Sequence, residues 1–253
     1  KKFKGNAMNQ PIRQAMILSA GKGTRLRPLT LTTPKPLVEV GGQPLIVWHI
    51  KALKQAGIQD IVVNVSWLAD KLIDAIGDGR QYGVTIHWSL EAGEPLETAG
   101  GIKKALSDNL LKAEPFILVN GDVWTPFDFT KLVNLTLQDK LAHLLLTDQA
   151  THNPSGDFAL QGELVSLDGA PKYTFAGISV IAPALLDAIN TGDTAPLAPL
   201  LRTAMRQQQV TGALLADDWV DVGTLERLDK LNQTLALSAL PNSAPFLTQK
   251  NQG

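Results

Sequence analysis

Thr33-Pro34-Lys35-Pro36-Leu37 sets one lysine between two prolines. Prolines restrict the backbone on both sides, so Lys35 has a limited direction. A solvated surface lysine needs no such bracing, whereas a lysine aimed at a phosphate does. Upstream stands Ser19-Ala20-Gly21-Lys22-Gly23-Thr24-Arg25-Leu26-Arg27-Pro28-Leu29-Thr30. Gly21 and Gly23 let the main chain approach a ligand closely and turn N–H groups toward phosphate oxygens. Lys22, Arg25 and Arg27 add cations. The segment is not a P-loop, because no G-K-[ST] closes a four-residue spacer, and Leu26 at the sixth position breaks the dinucleotide fingerprint. On the glycines alone, a tight strand-to-helix turn with surface cations fits equally well.

Two carboxylates complete the set. Asn120-Gly121-Asp122 closes the apolar run Phe116–Asn120, and Asp221 stands within Trp219–Val222. Magnesium is a hard cation usually held by one or two carboxylates, substrate phosphates and waters, which matches two strand-borne aspartates. Taken singly, each also reads as a turn or N-cap residue. The histidines, His49, His87, His143 and His152, form no visible acid–base set, and His49 reads as structural inside an amphipathic helix.

The elements that must position these groups alternate along the chain. Apolar runs predict strands at Ala15–Leu18, Ile61–Val65, Val84–Trp88, Phe116–Asn120, Ala142–Thr147, Phe175–Ile181 and Trp219–Val222. Helix-period stretches follow Pro44 (Leu45, Trp48, Ala52, Leu53, Ala56, stopped by Gly57) and include Leu68, Leu72, Ile73 and Ile76, stopped by Gly77. Further helices are expected over 197–208 and 224–237. This alternation predicts an α/β fold with a mainly parallel sheet and helices on both faces. Ligands then sit beyond the carboxyl ends of the strands, where the glycine loop and Asp122 stand.

The 253 residues are read as a leader (1–14, partly of cloning origin), one domain (15–237) and a tail (238–253). Within the domain, two halves are expected, 15–125 and 126–223, followed by a closing helix over 224–237. With 23 Lys and Arg against 24 Asp and Glu, bulk charge does not favour nucleic acid. The absence of cysteine excludes a disulfide framework and a thiolate zinc site. No apolar run reaches the roughly 20 residues of a membrane span, and no secretory signal opens the chain. The cytoplasm is the expected location, with no membrane or protein partner.

The glycine loop followed by Pro-Lys-Pro resembles the signature of sugar-1-phosphate nucleotidyltransferases, which have a Rossmann-like fold of the nucleotide-diphospho-sugar transferase type. The resemblance implies that Ser19, Ala20, Gly21, Lys22, Gly23, Thr24 and Arg25 hold a triphosphate. It implies that Arg25 steadies leaving pyrophosphate and that Lys35 contacts the reacting phosphates. Asn-Gly-Asp and Trp-x-Asp-x-Gly-Thr match the family's two metal segments, which carries Mg2+ ligation to Asp122 and Asp221. Glu94-Pro95-Leu96-Glu97-Thr98-Ala99-Gly100-Gly101 looks like the base-reading turn, with Gly100 and Gly101 against the base, although a helix start capped by Thr98 fits the same residues. Asn153-Pro154-Ser155-Gly156-Asp157-Phe158 and Phe175-Ala176-Gly177-Ile178 match segments that flank the sugar; Asp157 and Asn120 are candidates to bond sugar hydroxyls or an amide, and each fits a turn residue equally well. The chain departs from the common Glu-Lys-Pro sugar motif, reading Leu167-Asp168-Gly169-Ala170-Pro171-Lys172.

Glu-Pro-Leu-Glu-Thr-x-Gly-Gly, Val-Asn-Gly-Asp-Val-Trp, Gly-Asp-Phe, Thr-Phe-x-Gly-Ile-Ser-Val and Trp-Val-Asp-Val-Gly-Thr-Leu-Glu-Arg-Leu extend the match. From Ala15 to about Leu237 the sequence resembles the short N-acetylmuramate 1-phosphate uridylyltransferases of cell-wall recycling, which implies UTP and N-acetylmuramic acid 1-phosphate as substrates, with 15–125 as the nucleotide-binding half and 126–223 as the sugar-binding half. A mannose- or glucose-1-phosphate nucleotidyltransferase is the alternative within the class. A catalytically dead nucleotide-sugar sensor would tolerate loss of Arg25, Lys35, Asp122 or Asp221, yet all four are present. A glycosyltransferase would want Asp-x-Asp where the chain has Asn120-Gly121-Asp122.

Overall fold

The computed structural model of the chain describes residues 11–238. The expected leader and tail fall largely outside the described residues. The chain runs from β1 (Gln14–Leu18) through the short pair β2 (Glu39–Val40) and β3 (Gln43–Pro44) into α1 (Leu45–Gln55). Then follow β4 (Asp60–Val65), α2 (Ala69–Ile76), β5 (Thr85–Leu90), α3 (Glu97–Ser107) and β6 (Phe116–Asn120). β7 (Val123–Trp124), the single turn α4 (Thr130–Val133) and β8 (Ala142–Thr147) lead into β9 (Phe158–Gln161), β10 (Leu164–Ser166) and β11 (Lys172–Ile181). α5 (Leu197–Arg206), β12 (Val210–Leu214), β13 (Val220–Asp221) and α6 (Leu225–Ser238) complete it.

Nine strands form one sheet in the order β5-β4-β1-β6-β11-β8-β12-β10-β9, with β9 also pairing to β11. Strands β5, β4, β1 and β6 are mutually parallel, as are β8 and β12. Every other pairing in the sheet is antiparallel. The expectation of a mainly parallel sheet is therefore corrected to a mixed one. The reason lies in the connections. Parallel neighbours need a crossover of a dozen or more residues, whereas β9, β10 and β11 follow one another through short links with no helix. The apolar-run reading does not find β9, β10 and β12, which are short or interrupted by polar residues.

Alternate side chains of each strand feed opposite faces. Ile17, Ile61 and Val63 join Ile46, Ile50, Leu53 and Leu72 in one core, on the α1 and α2 side. Met16, Val62 and Leu118 join Ala99, Ile102 and Leu201 in the other, on the α3 and α5 side. Helices thus cover both faces, and β4 and β6 are near-continuous apolar runs for that reason. Pro44 precedes α1 as its cap rather than its first residue, and Gly77 ends α2 at φ 66°. A third cluster gathers Leu26, Val38, Val40, Leu45, Trp124, Val222, Leu228 and Leu231. It ties the glycine loop, the Pro-Lys-Pro segment, β7, β13 and α6 into one body beside the sheet. Leu26 is fully buried there, and burial of one leucine is worth roughly 2 kcal/mol, enough to anchor a loop.

Candidate active site

The glycine loop leaves the end of β1 and turns through a single 3-10 turn, Thr24–Leu26. Gly23 takes φ 61°, and a Cβ there would lie 3.0 Å from the Thr30 methyl and 3.2 Å from the Lys35 Cβ. The loop and the Pro-Lys-Pro segment therefore touch at Gly23, and Thr30 Oγ1 donates to the Gly23 carbonyl at 2.7 Å. The Ser19 N–H is taken by Asn64 Oδ1 at 2.8 Å. Beyond it, the main-chain N–H groups of residues 20–25 find no acceptor among the described residues. Ser19 Oγ is buried and also without a partner. A run of unsatisfied donors in a turned loop is the arrangement that receives an anion.

One cleft of about 470 Å³ joins these groups to the end of β6. Its wall includes Ser19, Ala20, Gly21, Gly23, Thr24, Arg25, Lys35, Asn120 and Asp122 from the expected set, together with Asn64, Pro95, Thr98 and Gly223. Lys35 Nζ donates to Asp122 Oδ2 at 2.8 Å; the lysine side chain is 11% exposed and the aspartate 37%. Asp122 and Asp221, far apart in sequence, are neighbours in space. Asp221 pairs with Val123 across β13 and β7, and the Val222 N–H donates to the Asp122 carbonyl at 2.8 Å. Asp221 Oδ2 lies 3.0 Å from Arg227 Nη1 and 3.4 Å from His152 Nε2, while Oδ1 is buried with no partner.

The remaining expected residues stand elsewhere. Lys22 pairs with Glu94, 2.7 Å away. Gly100 and Gly101 are buried in the first turns of α3, whose cap is Leu96, not Thr98. The Gly100 N–H donates to the Ala195 carbonyl at 3.1 Å. A Cβ on Gly101 would come within 2.5 Å of Glu91 Oε1. Gly177 backs Asn120: it sits at φ 77° in the bulge of β11, and a Cβ there would lie 2.9 Å from the Asn120 side chain. Asp157 is committed to its own loop. Its Oδ1 accepts from Asn153 Nδ2 and its Oδ2 from the Phe175 N–H, both at 2.9 Å. Gly156 packs against the Lys172 carbonyl.

Three groups escape the sequence reading. Asn64 Nδ2 donates to Glu91 Oε1 at 2.7 Å, and Glu91 Oε2 accepts the Leu96 N–H at 2.8 Å. This buried relay joins the glycine loop to the turn before α3. The available signal is a lone amide inside the apolar run Ile61–Val65. Arg227 is the third, and its signal is its place one helical turn beyond Asp221-Val222-Gly223-Thr224. His49 is buried in α1 with Nε2 unpartnered. Burial pushes its pKa down to about 4, opposed by a backbone hydrogen bond with Val123 and by the charge of Asp122. It stays neutral at neutral pH, in keeping with a structural role.

A glycine loop of open N–H donors and a braced lysine beside Asp122 at the end of β6 suit an anionic ligand such as phosphate. The chain belongs to the nucleotidyl transferase family, whose sequence pattern matches residues 14–158. It is 48% identical over 229 residues to N-acetylmuramate alpha-1-phosphate uridylyltransferase of Neisseria meningitidis serogroup B, covering 88% of this chain and 98% of that protein. It is 30% identical to mannose-1-phosphate guanyltransferase of Yarrowia lipolytica, covering 94% of this chain and 70% of that protein. The inositol-1-phosphate CTP transferase structure from T. maritima superposes with a TM-score of 0.73 at 17% identity, covering 94% of this chain and all of that one, which speaks to the fold alone. Among the described residues no helix is long and apolar enough to cross a membrane.

Proposed function

We propose that the chain transfers the uridylyl group of UTP to N-acetylmuramic acid 1-phosphate and releases pyrophosphate. The observation that carries this reading is the 48% identity to the meningococcal uridylyltransferase along almost the whole of both chains. A phosphate oxygen of the sugar phosphate attacks the α-phosphorus as the bond to the β-phosphate oxygen breaks. That oxygen is already ionised at neutral pH, so no general base is needed. Positioning and charge neutralisation then dominate catalysis.

The open N–H groups of residues 20–25 hold the triphosphate, Arg25 meets the leaving pyrophosphate, and Lys35 meets the reacting phosphates. The Asn64–Glu91 relay holds the glycine loop and the turn before α3 at fixed separation, with Gly100 and Gly101 packed beneath that turn. Asn120, backed by Gly177, faces the cleft where the sugar phosphate enters, and the loop of Gly156 and Asp157 belongs to the sugar half. Magnesium, when bound, neutralises charge on the reacting phosphates.

Asp122 and Asp221 fit such an ion. Both are hard oxygen donors, one oxygen of Asp221 is buried and unpartnered, and a pair of carboxylates leaves the other positions to phosphate and water. The same reading places the protein in the cytoplasm, acting without nucleic acid, membrane or protein partner.

The test is pyrophosphate release with each nucleoside triphosphate against a set of sugar 1-phosphates. With UTP, N-acetylmuramic acid 1-phosphate is expected to give a kcat/KM at least about 10²-fold above glucose 1-phosphate, because a smaller sugar leaves polar groups of the pocket unpartnered. Comparable efficiencies sink the muramate reading and leave the nucleotidyltransferase class intact. A preference for GTP with mannose 1-phosphate favours the guanyltransferase alternative.

A further inference from the structure

We infer that Arg227 is a positioning residue for the divalent cation: it grips one oxygen of Asp221 and so presents the other to the metal. The inference rests on the proposed metal role of Asp221. The Asp221 side chain is 15% exposed, and its two oxygens have unequal surroundings. Oδ2 faces Arg227 Nη1 at 3.0 Å, outside hydrogen-bond alignment, so the contact is an ion pair. His152 Nε2 approaches the same oxygen at 3.4 Å, with its ring stacked on Trp219, centroids 6.2 Å apart. Oδ1 is buried and has no partner. A buried carboxylate oxygen without a partner is rare unless something outside the chain completes it.

The local sequence builds this asymmetry. Thr224 Oγ1 accepts the Arg227 N–H at 3.3 Å, so the threonine caps α6 and Arg227 falls in its first turn. Arg227 Nε also reaches Thr224 Oγ1 at 3.3 Å, which folds the guanidinium back over Gly223. A Cβ on Gly223 would lie 2.5 Å from Arg227 Nη2 and 2.7 Å from Asp221 Oδ1, with Arg25 Cζ at 3.1 Å. Glycine is therefore required for the carboxylate and both guanidiniums to converge, and Gly223 itself lines the cleft. Ligating carboxylates are commonly oriented by a partner on their other oxygen, and loss of that partner costs about 10- to 100-fold in metal affinity.

The experiment is Mn2+ binding, followed by loss of the free-ion EPR signal, on the full chain as wild type, Arg227→Gln, Arg227→Lys and Asp221→Asn. Each variant is checked for folding by thermal melting. Arg227→Gln is expected to weaken binding about tenfold or more, and Arg227→Lys to recover part of it. In turnover, Arg227→Gln should raise the magnesium concentration needed while kcat at saturating magnesium largely returns, a split that general unfolding does not produce. Unchanged affinity overturns the inference. Tighter binding overturns it too, since it would make Arg227 a competitor of the ion. If Asp221→Asn binds Mn2+ as wild type does, the metal reading of Asp221 falls as well; if only Arg227→Gln is silent, that reading stands.

Discussion

Replacing Lys35 by alanine separates a catalytic cation from a structural one. The ammonium lies 2.8 Å from Asp122 Oδ2 and is almost wholly shielded, while the aspartate keeps contact with solvent. Removing the lysine leaves a carboxylate that water can still reach, so solvent screening holds the stability loss to about 1 kcal/mol. In a chain of this size that is a fall of about 2–4 °C in Tm. The effect on turnover is expected to be much larger. A preorganised cation aimed where charge shifts between phosphates is worth roughly 3–4 kcal/mol, or about 10²- to 10³-fold in kcat. The assay is kcat for pyrophosphate release and for the reverse reaction, beside a thermal melt of the same preparation. A wild-type kcat for Lys35→Ala refutes the reasoning. So does a kcat loss accompanied by collapse of the fold, because the lysine would then act through packing with Gly23.

Gly101→Ala places a methyl against Glu91 and Asn64, so overpacking should cost about 1–3 kcal/mol in urea unfolding, with a rise in the KM for UTP as the turn before α3 shifts. A neutral stability change would mean that the relay has slack. Asp157→Ala removes the acceptor of Asn153 and of the Phe175 N–H, so the loop 153–157 should loosen; the preference for N-acetylmuramic acid 1-phosphate over glucose 1-phosphate then narrows chiefly through KM, whereas a preference lost through kcat would place Asp157 on the sugar itself. His49 is held neutral in the fold, with its pKa lowered from 6.5 to about 4. Its contribution is therefore fully present above pH 6.5 and lost as pH falls from there toward 4, because the unfolded chain binds the extra proton first. The total is about 3 kcal/mol. Unfolding free energies of wild type and His49→Leu across pH 4 to 7 should differ in slope in that window; parallel curves would show that His49 does not titrate as described.

The segments expected to carry chemistry are legible along the chain because each is a local pattern. The glycine loop, the proline-braced Lys35 and the strand-end Asp122 are contiguous patterns whose meaning depends on neighbours a few residues away. The buried strands β1, β4, β6 and β8 were legible for the same reason, since burial on both faces writes an unbroken apolar run. Other features depend on contacts between segments distant along the chain. The direction of β11 between β6 and β8 follows from connection lengths and from short strands that leave little hydrophobic signature. Asp122 and Asp221 meet through the pairing of β7 with β13, and no spacing along the chain encodes that contact. Gly100 and Gly101 read as base-contacting residues, yet in the fold they lie beneath the turn, packed on Asp193 and on the Asn64–Glu91 relay. Asp157 carries a contact that no local pattern encodes, since its Oδ2 accepts the N–H of Phe175 in β11. Local pattern names the residue types a site needs. Which of their atoms remain unsatisfied, and so open to a ligand, depends on partners from distant segments that only the packed chain brings within hydrogen-bond reach.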